Sequence, residues 1–179
     1  MKTISTKKLV LTALFTAVIT IATMFLRLPL SFGYVNLGDA FILLAVFILG
    51  PIYGVISAGV GSAIADLLGY ITYAPGTLII KTLMAISIHL VYALIKTATK
   101  KDILAEILSG IVGTLIMAFG YFAYEIIFFI TPAFAILNVP FNILQGVVGT
   151  AIAVSVMRIL TKTKILEKLE INRSDKHEN

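Results

Sequence analysis

Two groups of polar side chains stand in otherwise apolar sequence, and their spacing is helical. Tyr121 and Glu125 lie at i and i+4, with Tyr124 adjacent; Asn138, Asn142 and Gln145 lie at i, i+4 and i+7. At helical periodicity each group occupies one face. One acid, two phenols and three amides could surround a small polar ring, the phenols stacking on it and the amides and charges reading its rim. The same amides could instead act as hydrogen-bonding glue between helices. Asn36, Tyr73 and Lys81 complete the candidate set, and Tyr34 and Tyr70 could close over it or serve as an interfacial aromatic belt.

Ionisable residues inside apolar segments are costly, and each invites a reason. Asp39 follows Gly38 at the start of a segment, where a carboxylate caps free N–H groups and suits the helix dipole. Asp66 falls near the far end of the next segment, where the dipole does not favour it. Lys81 lies at similar depth. Two readings follow: an Asp66–Lys81 ion pair, or Lys81 in direct contact with an anionic or carbonyl group of a ligand. His89 stands deeper and alone, as a packed or hydrogen-bonded core histidine.

Several chemistries lack their residues. There is no cysteine, no GxxxxGK[ST] loop for nucleotide phosphates, no HExxH and no His/Cys cluster, so no metal and no cofactor is expected. Asp39 and Asp66 as an intramembrane aspartyl dyad lack convincing flanks in "NLGDAF" and "IADLLGY". Asn172-Arg173-Ser174 matches a glycosylation acceptor but falls in a tail expected on the cytoplasmic side.

The elements that must position these groups are membrane helices. Of 179 residues 59% are hydrophobic and 13% charged, with a mean hydropathy of +1.04, far from a soluble domain. The charge of +5 sits beside apolar segments and is explained by topology, not by nucleic acid. Spans are expected at about 8–26, 77–95, 103–130 and 139–160 in a single membrane domain covering 1–179, with 161–179 a basic cytoplasmic tail. The first run is too long for a signal peptide. The stretch 39–69 is either one helix or two, 39–50 and 54–69, divided at "GPIYG" (Gly50–Gly54). Basic residues cluster at Lys2, Lys7 and Lys8, at Lys96, Lys100 and Lys101, and from Arg158 to Lys176. A turn at "GPIYG" gives six crossings and places all three clusters inside; a kinked but continuous helix gives five and does not. The expected fold is therefore all-α, six helices, both termini cytoplasmic, with outer loops at 27–38, 69–76 and 131–138.

Small residues recur at three- or four-residue spacing: Ala13 and Ala17; Gly54, Ala58 and Ser62; Ser57, Gly61, Ala65 and Gly69; and Gly146, Gly149 and Ala153 in the last span. Such ridges let backbones approach. Internal packing is expected for the later ones; for Ala13 and Ala17, packing and docking to another membrane protein both stand.

The runs "GYVNLGDAFILLAVFILGPIYGVISAGVGSAIADLLGY", "YAPGTLIIKTLMA" and "VPFNILQGVVG" together resemble the S components of energy-coupling factor (ECF) vitamin importers, most closely the riboflavin, hydroxymethylpyrimidine or pyridoxine-type group. The resemblance covers most of residues 8–160. It implies a six-helix substrate-binding subunit without its own ATPase, lying in a bacterial or archaeal plasma membrane and binding a vitamin near the outer face. It also implies partners: a transmembrane coupling protein and two ABC-type ATPases. Ala13 and Ala17 match the AxxxA motif that contacts the coupling protein in that family. The expected ligand contacts are Asn36, Tyr73, Lys81, Tyr121, Glu125, Asn138, Asn142 and Gln145. A stand-alone secondary transporter or channel, and an intramembrane enzyme, are the alternatives.

Overall fold

The computed structural model describes residues 6–30, 33–128 and 132–168. Five of its helices are long and apolar enough to cross a bilayer: α1 (Thr6–Phe25), α2 (Gly38–Gly69), α3 (Ala74–Thr99), α4 (Asp102–Phe128) and α5 (Pro132–Lys162), the last qualifying over Ala135–Lys162. A short α6 (Ile165–Lys168) follows. Leucine, isoleucine and phenylalanine side chains are widely exposed along α1, α3, α4 and α5. Water would not tolerate this, but lipid is the natural solvent for such faces.

The helix α2 is broken at Gly50, whose φ of 79° and ψ of −167° are not helical. Glycine adopts positive φ without a Cβ penalty, and Pro51 disfavours helix at the residue before it. The break folds α2 back on itself. Eight residues of unbroken helix rise about 12 Å, yet a Cβ on Gly54 would stand 2.7 Å from the Val46 Cα. The two arms of α2 thus pack side by side, and Asp39 and Asp66, about 40 Å apart along a straight helix, come to the same end of the bundle.

The ridge residues of α2 and α5 are interior packing, except Gly69, which is exposed. Ser57 Oγ donates to the Thr12 carbonyl at 3.1 Å and Thr20 Oγ1 to the Gly61 carbonyl at 2.8 Å, so α1 lies directly on the second arm of α2. A Cβ on Gly59 would strike Thr82 of α3, one on Gly146 would strike Thr114 of α4, and one on Gly149 would meet the Asp39–Ala40 backbone. Ala13 and Ala17 are different: both are exposed on the outer side of α1. Ile42, Leu43, Met84, Ile88 and Met117 form an apolar core on the turns next to Asp39, Lys81 and Tyr121.

Several expectations need correction. The expected outer loop 27–38 holds a short hairpin: Arg27–Leu30 (β1) and Gly33–Asn36 (β2) run antiparallel, pairing Arg27 with Asn36 and Leu28 with Val35. Strand pairing satisfies backbone groups that lipid and protein would otherwise leave unbonded. The expected loop 131–138 is helix from Pro132 onward, because proline is favoured in a first helical turn, where its missing N–H costs nothing. His89 is only half-buried and makes no side-chain hydrogen bond among the described residues. The side chain of Tyr34, and the whole of Lys2 and the Asn172–Ser174 motif, lie outside the described residues.

Candidate ligand cavity

The hairpin and the ends of the long helices enclose a cavity of about 280 Å³ at the end of the bundle opposite Gly50. All eight residues selected from the sequence line it: Asn36 from β2, Tyr73 from the turn before α3, Lys81 from α3, Tyr121 and Glu125 from α4, and Asn138, Asn142 and Gln145 from α5. Thr23, Ser62, Asp66, Tyr70, Thr77 and Phe141 complete the wall. The volume and the mixture of aromatic and polar groups suit a small ligand.

One part of the wall is a continuous polar network. Asp39, in the first turn of α2, accepts Lys81 Nζ on Oδ1 and Gln145 Nε2, at 2.7 Å, on Oδ2. Gln145 Oε1 accepts both the backbone N–H and the Nδ2 of Asn36, each at 3.0 Å, and Asn36 Oδ1 accepts the Gly38 N–H at 2.8 Å. Lys81 Nζ also lies 2.8 Å from Met117 Sδ and 5.7 Å from the centre of the Tyr121 ring. Four residues on β2, α2, α3 and α5 are thereby tied together with both charges compensated.

This corrects two readings. The acid paired with Lys81 is Asp39, not Asp66. And Asp39 makes no side-chain cap: the N-cap of α2 is Leu37, and the Asp39 carboxylate is used across helices. Similar depth along two helices does not tell which faces meet; Asp39 and Lys81 share the same inward face. Asp66 accepts from Thr77 Oγ1 instead. A hydroxyl carries one proton, so Thr77, having donated it to Asp66, accepts from the Tyr121 hydroxyl at 2.9 Å.

The facing wall is built on Glu125. Its Oε1 accepts Asn138 Nδ2 at 3.0 Å and the Tyr73 hydroxyl at 3.4 Å. Burial, with the Glu125 carboxylate next in weight, pushes the Tyr73 phenol up to about 12, so it remains a neutral donor. Asn142 faces the cavity with no side-chain hydrogen bond among the described residues.

A second, half-buried ion pair lies at the opposite end of the bundle, between Glu106 of α4 and Arg158 of α5. It is absent from the sequence reading, which placed Arg158 with the basic tail and passed over Glu106. An acid and a base each isolated within an apolar segment were the available signal. Nearby, Lys96 closes the α3–α4 turn on Asp102 at 3.1 Å, with Lys100 in the left-handed conformation that ends α3.

Bundle and cavity define a class: a helical membrane protein that holds a small polar ligand at one end of the bundle. The particular family follows from comparison. The family model described as "ECF-type riboflavin transporter, S component" matches residues 3–162, and the chain belongs to that family. An "Uncharacterized protein in gap 3'region" of Pyrococcus woesei is 34% identical over 146 residues, covering 80% of this chain and 95% of the relative. A solved structure described as "Structure and mechanism of the S component of a bacterial ECF transporter" is similar with a TM-score of 0.66 and 25% identity, over 88% of this chain and 96% of that one. The chain is therefore an S component, a vitamin-binding membrane subunit of an ECF transporter, and not an enzyme.

Proposed function

We propose that this chain captures a small heteroaromatic vitamin or precursor, of the riboflavin, hydroxymethylpyrimidine or pyridoxine type, with high affinity at the outer face of the cell membrane, for ATP-driven uptake by partner subunits. The observation that carries this reading is the cavity at the hairpin end, where phenols and amides from β2, the turn before α3, α4 and α5 converge. Asn36, Tyr73, Lys81, Tyr121, Glu125, Asn138, Asn142 and Gln145 are its proposed binding residues. The family description names riboflavin, which makes it the first ligand to test.

The fold-back at Gly50 supports six crossings with both termini cytoplasmic, which puts the cavity outside and the "GPIYG" turn inside. A Tyr53→Cys variant is then labelled by impermeant thiol reagents from the cytoplasmic side alone; labelling from outside sinks this topology. The partners are a transmembrane coupling protein and two ABC-type ATPases. The exposed Ala13 and Ala17 offer the coupling protein a shallow, small-residue face on α1. Ala13→Leu or Ala17→Leu abolishes uptake in cells carrying the whole transporter while purified protein still binds vitamin; undiminished uptake removes that role.

The deciding experiment is mass spectrometry of small molecules co-purified with the detergent-solubilised protein, followed by calorimetry with the compound found. A flat heteroaromatic vitamin bound one to one supports the reading. No binding of riboflavin, hydroxymethylpyrimidine or pyridoxine, and none co-purified, overturns it. Uptake into liposomes by this chain alone would favour a stand-alone transporter.

A further inference from the structure

Three buried polar atoms in the cavity wall have no hydrogen-bond partner among the described residues: Glu125 Oε2, Ser62 Oγ and Thr23 Oγ1. Their residues are 4%, 1% and 8% exposed. Leaving a buried polar atom unbonded is costly, and three at one cavity, on α4, α2 and α1, mark where a ligand's polar edge is received. Two of the three are hydroxyls, which donate or accept and do not select charge. Glu125 Oε2 belongs to a carboxyl whose other oxygen already takes two donors; in the ionised form it can only accept.

The charges around it strengthen that preference. Lys81 is compensated by Asp39. Among the wall and its immediate partners, the carboxylates of Asp39, Asp66 and Glu125 face one ammonium, that of Lys81. The Arg27 guanidinium is exposed and lies 5.6 Å from the ring centre of Tyr70. A phosphate would bring further negative charge into a low-dielectric space that already holds an acidic excess.

We propose that Glu125 is the specificity-determining residue of the cavity: its Oε2 accepts an N–H or O–H from the ligand, and the cavity admits an uncharged or cationic ligand while rejecting the phosphate ester of the same compound. This rests on the vitamin-binding reading and adds a charge class to it. Glutamine at 125 keeps the shape and can still accept from Tyr73 and Asn138, but presents an N–H where Oε2 now accepts.

The test is calorimetry on purified protein with three pairs of probes: riboflavin, pyridoxine and hydroxymethylpyrimidine, each against its own monophosphate. The native chain binds its vitamin about 100-fold or more tighter than the ester. Glu125→Gln weakens the vitamin about 10- to 100-fold and leaves the ester unchanged or tighter, so the ratio narrows. Thermal unfolding of the variant is measured alongside. If it does not fold, the native vitamin-to-ester ratio decides alone. Ester binding within about threefold of the vitamin, or unchanged vitamin affinity in a folded Glu125→Gln, overturns this inference and leaves the vitamin-binding reading standing. If none of the three vitamins binds the native chain, that reading falls and the inference with it.

Discussion

The two walls of the cavity are built from similar residues and do opposite things. In the Asn36–Asp39–Lys81–Gln145 wall both carboxylate oxygens, both ends of each amide and the ammonium have protein partners. Elsewhere around the cavity, on the open wall, Glu125 bonds through one oxygen, Asn142 makes no side-chain bond among the described residues, and Ser62 and Thr23 hold unbonded hydroxyls, that of Thr23 close to Gly38. Lining a cavity and being open to a ligand are different properties. The closed wall stabilises the arrangement of hairpin and helices; the open wall keeps hydrogen-bonding capacity in reserve. Substitutions should therefore sort by wall, those on the closed side changing stability first and those on the open side changing affinity first.

The largest effect is expected at the ion pair. Asp39→Asn leaves the buried Lys81 ammonium without the carboxylate it is paired with, and breaking a buried pair typically costs about 3–5 kcal/mol. Thermal unfolding in detergent should show a large drop in midpoint. The double variant Asp39→Asn with Lys81→Met removes both charges and should recover much of the loss, since a well-packed apolar replacement of a buried pair is often neutral. A single variant as stable as the native chain would mean that the closed wall does not hold the bundle together.

How far these walls could be read in the sequence follows from geometry. The stripe Asn138–Asn142–Gln145 and the pair Tyr121–Glu125 were legible because i, i+3 and i+4 spacing puts side chains on one face whatever the tertiary structure. The break at "GPIYG" was legible because glycine followed by proline is a local backbone signal and because charge parity adds a global one. The partner of Lys81 was not. Hydropathy gives depth along a helix but not which way a side chain points, and Asp39 and Asp66 stand at the same depth once α2 folds back. The hairpin Arg27–Asn36 was missed because four-residue strands carry too little alternation to distinguish them from loop. Glu106 and Arg158 were missed because each lies inside a helix but within a turn or two of a charged end, and such charges are ordinarily explained by topology.

Asn142 and Gln145 provide the tightest internal comparison, one turn apart on the same face of α5. Gln145→Ala removes the acceptor for two Asn36 donors and the donor to Asp39. Each stranded buried group costs about 1–3 kcal/mol, so both unfolding midpoint and affinity should fall. Asn142→Ala strands nothing in the described structure. Its stability should stay within about 0.5 kcal/mol of the native value, while vitamin affinity drops about tenfold. Matching stability losses at the two positions would erase the distinction between the walls.

The smallest and most diagnostic change is at Ser62. Its hydroxyl is buried and unbonded among the described residues, so the protein without ligand carries the desolvation penalty with no compensating bond. Ser62→Ala removes that penalty along with the hydroxyl. The ligand-free protein should be unchanged in stability or up to about 1 kcal/mol more stable, while vitamin affinity falls about three- to tenfold because the ligand loses one bond. The two readouts move in opposite directions, which a packing defect cannot produce: a misfit in the second arm of α2 lowers both. If Ser62→Ala destabilises the ligand-free protein, the hydroxyl is held by the fold and belongs with the closed wall. If stability rises and affinity does not change, the hydroxyl is unused by the ligand, and the open wall narrows to Glu125, Asn142 and Thr23.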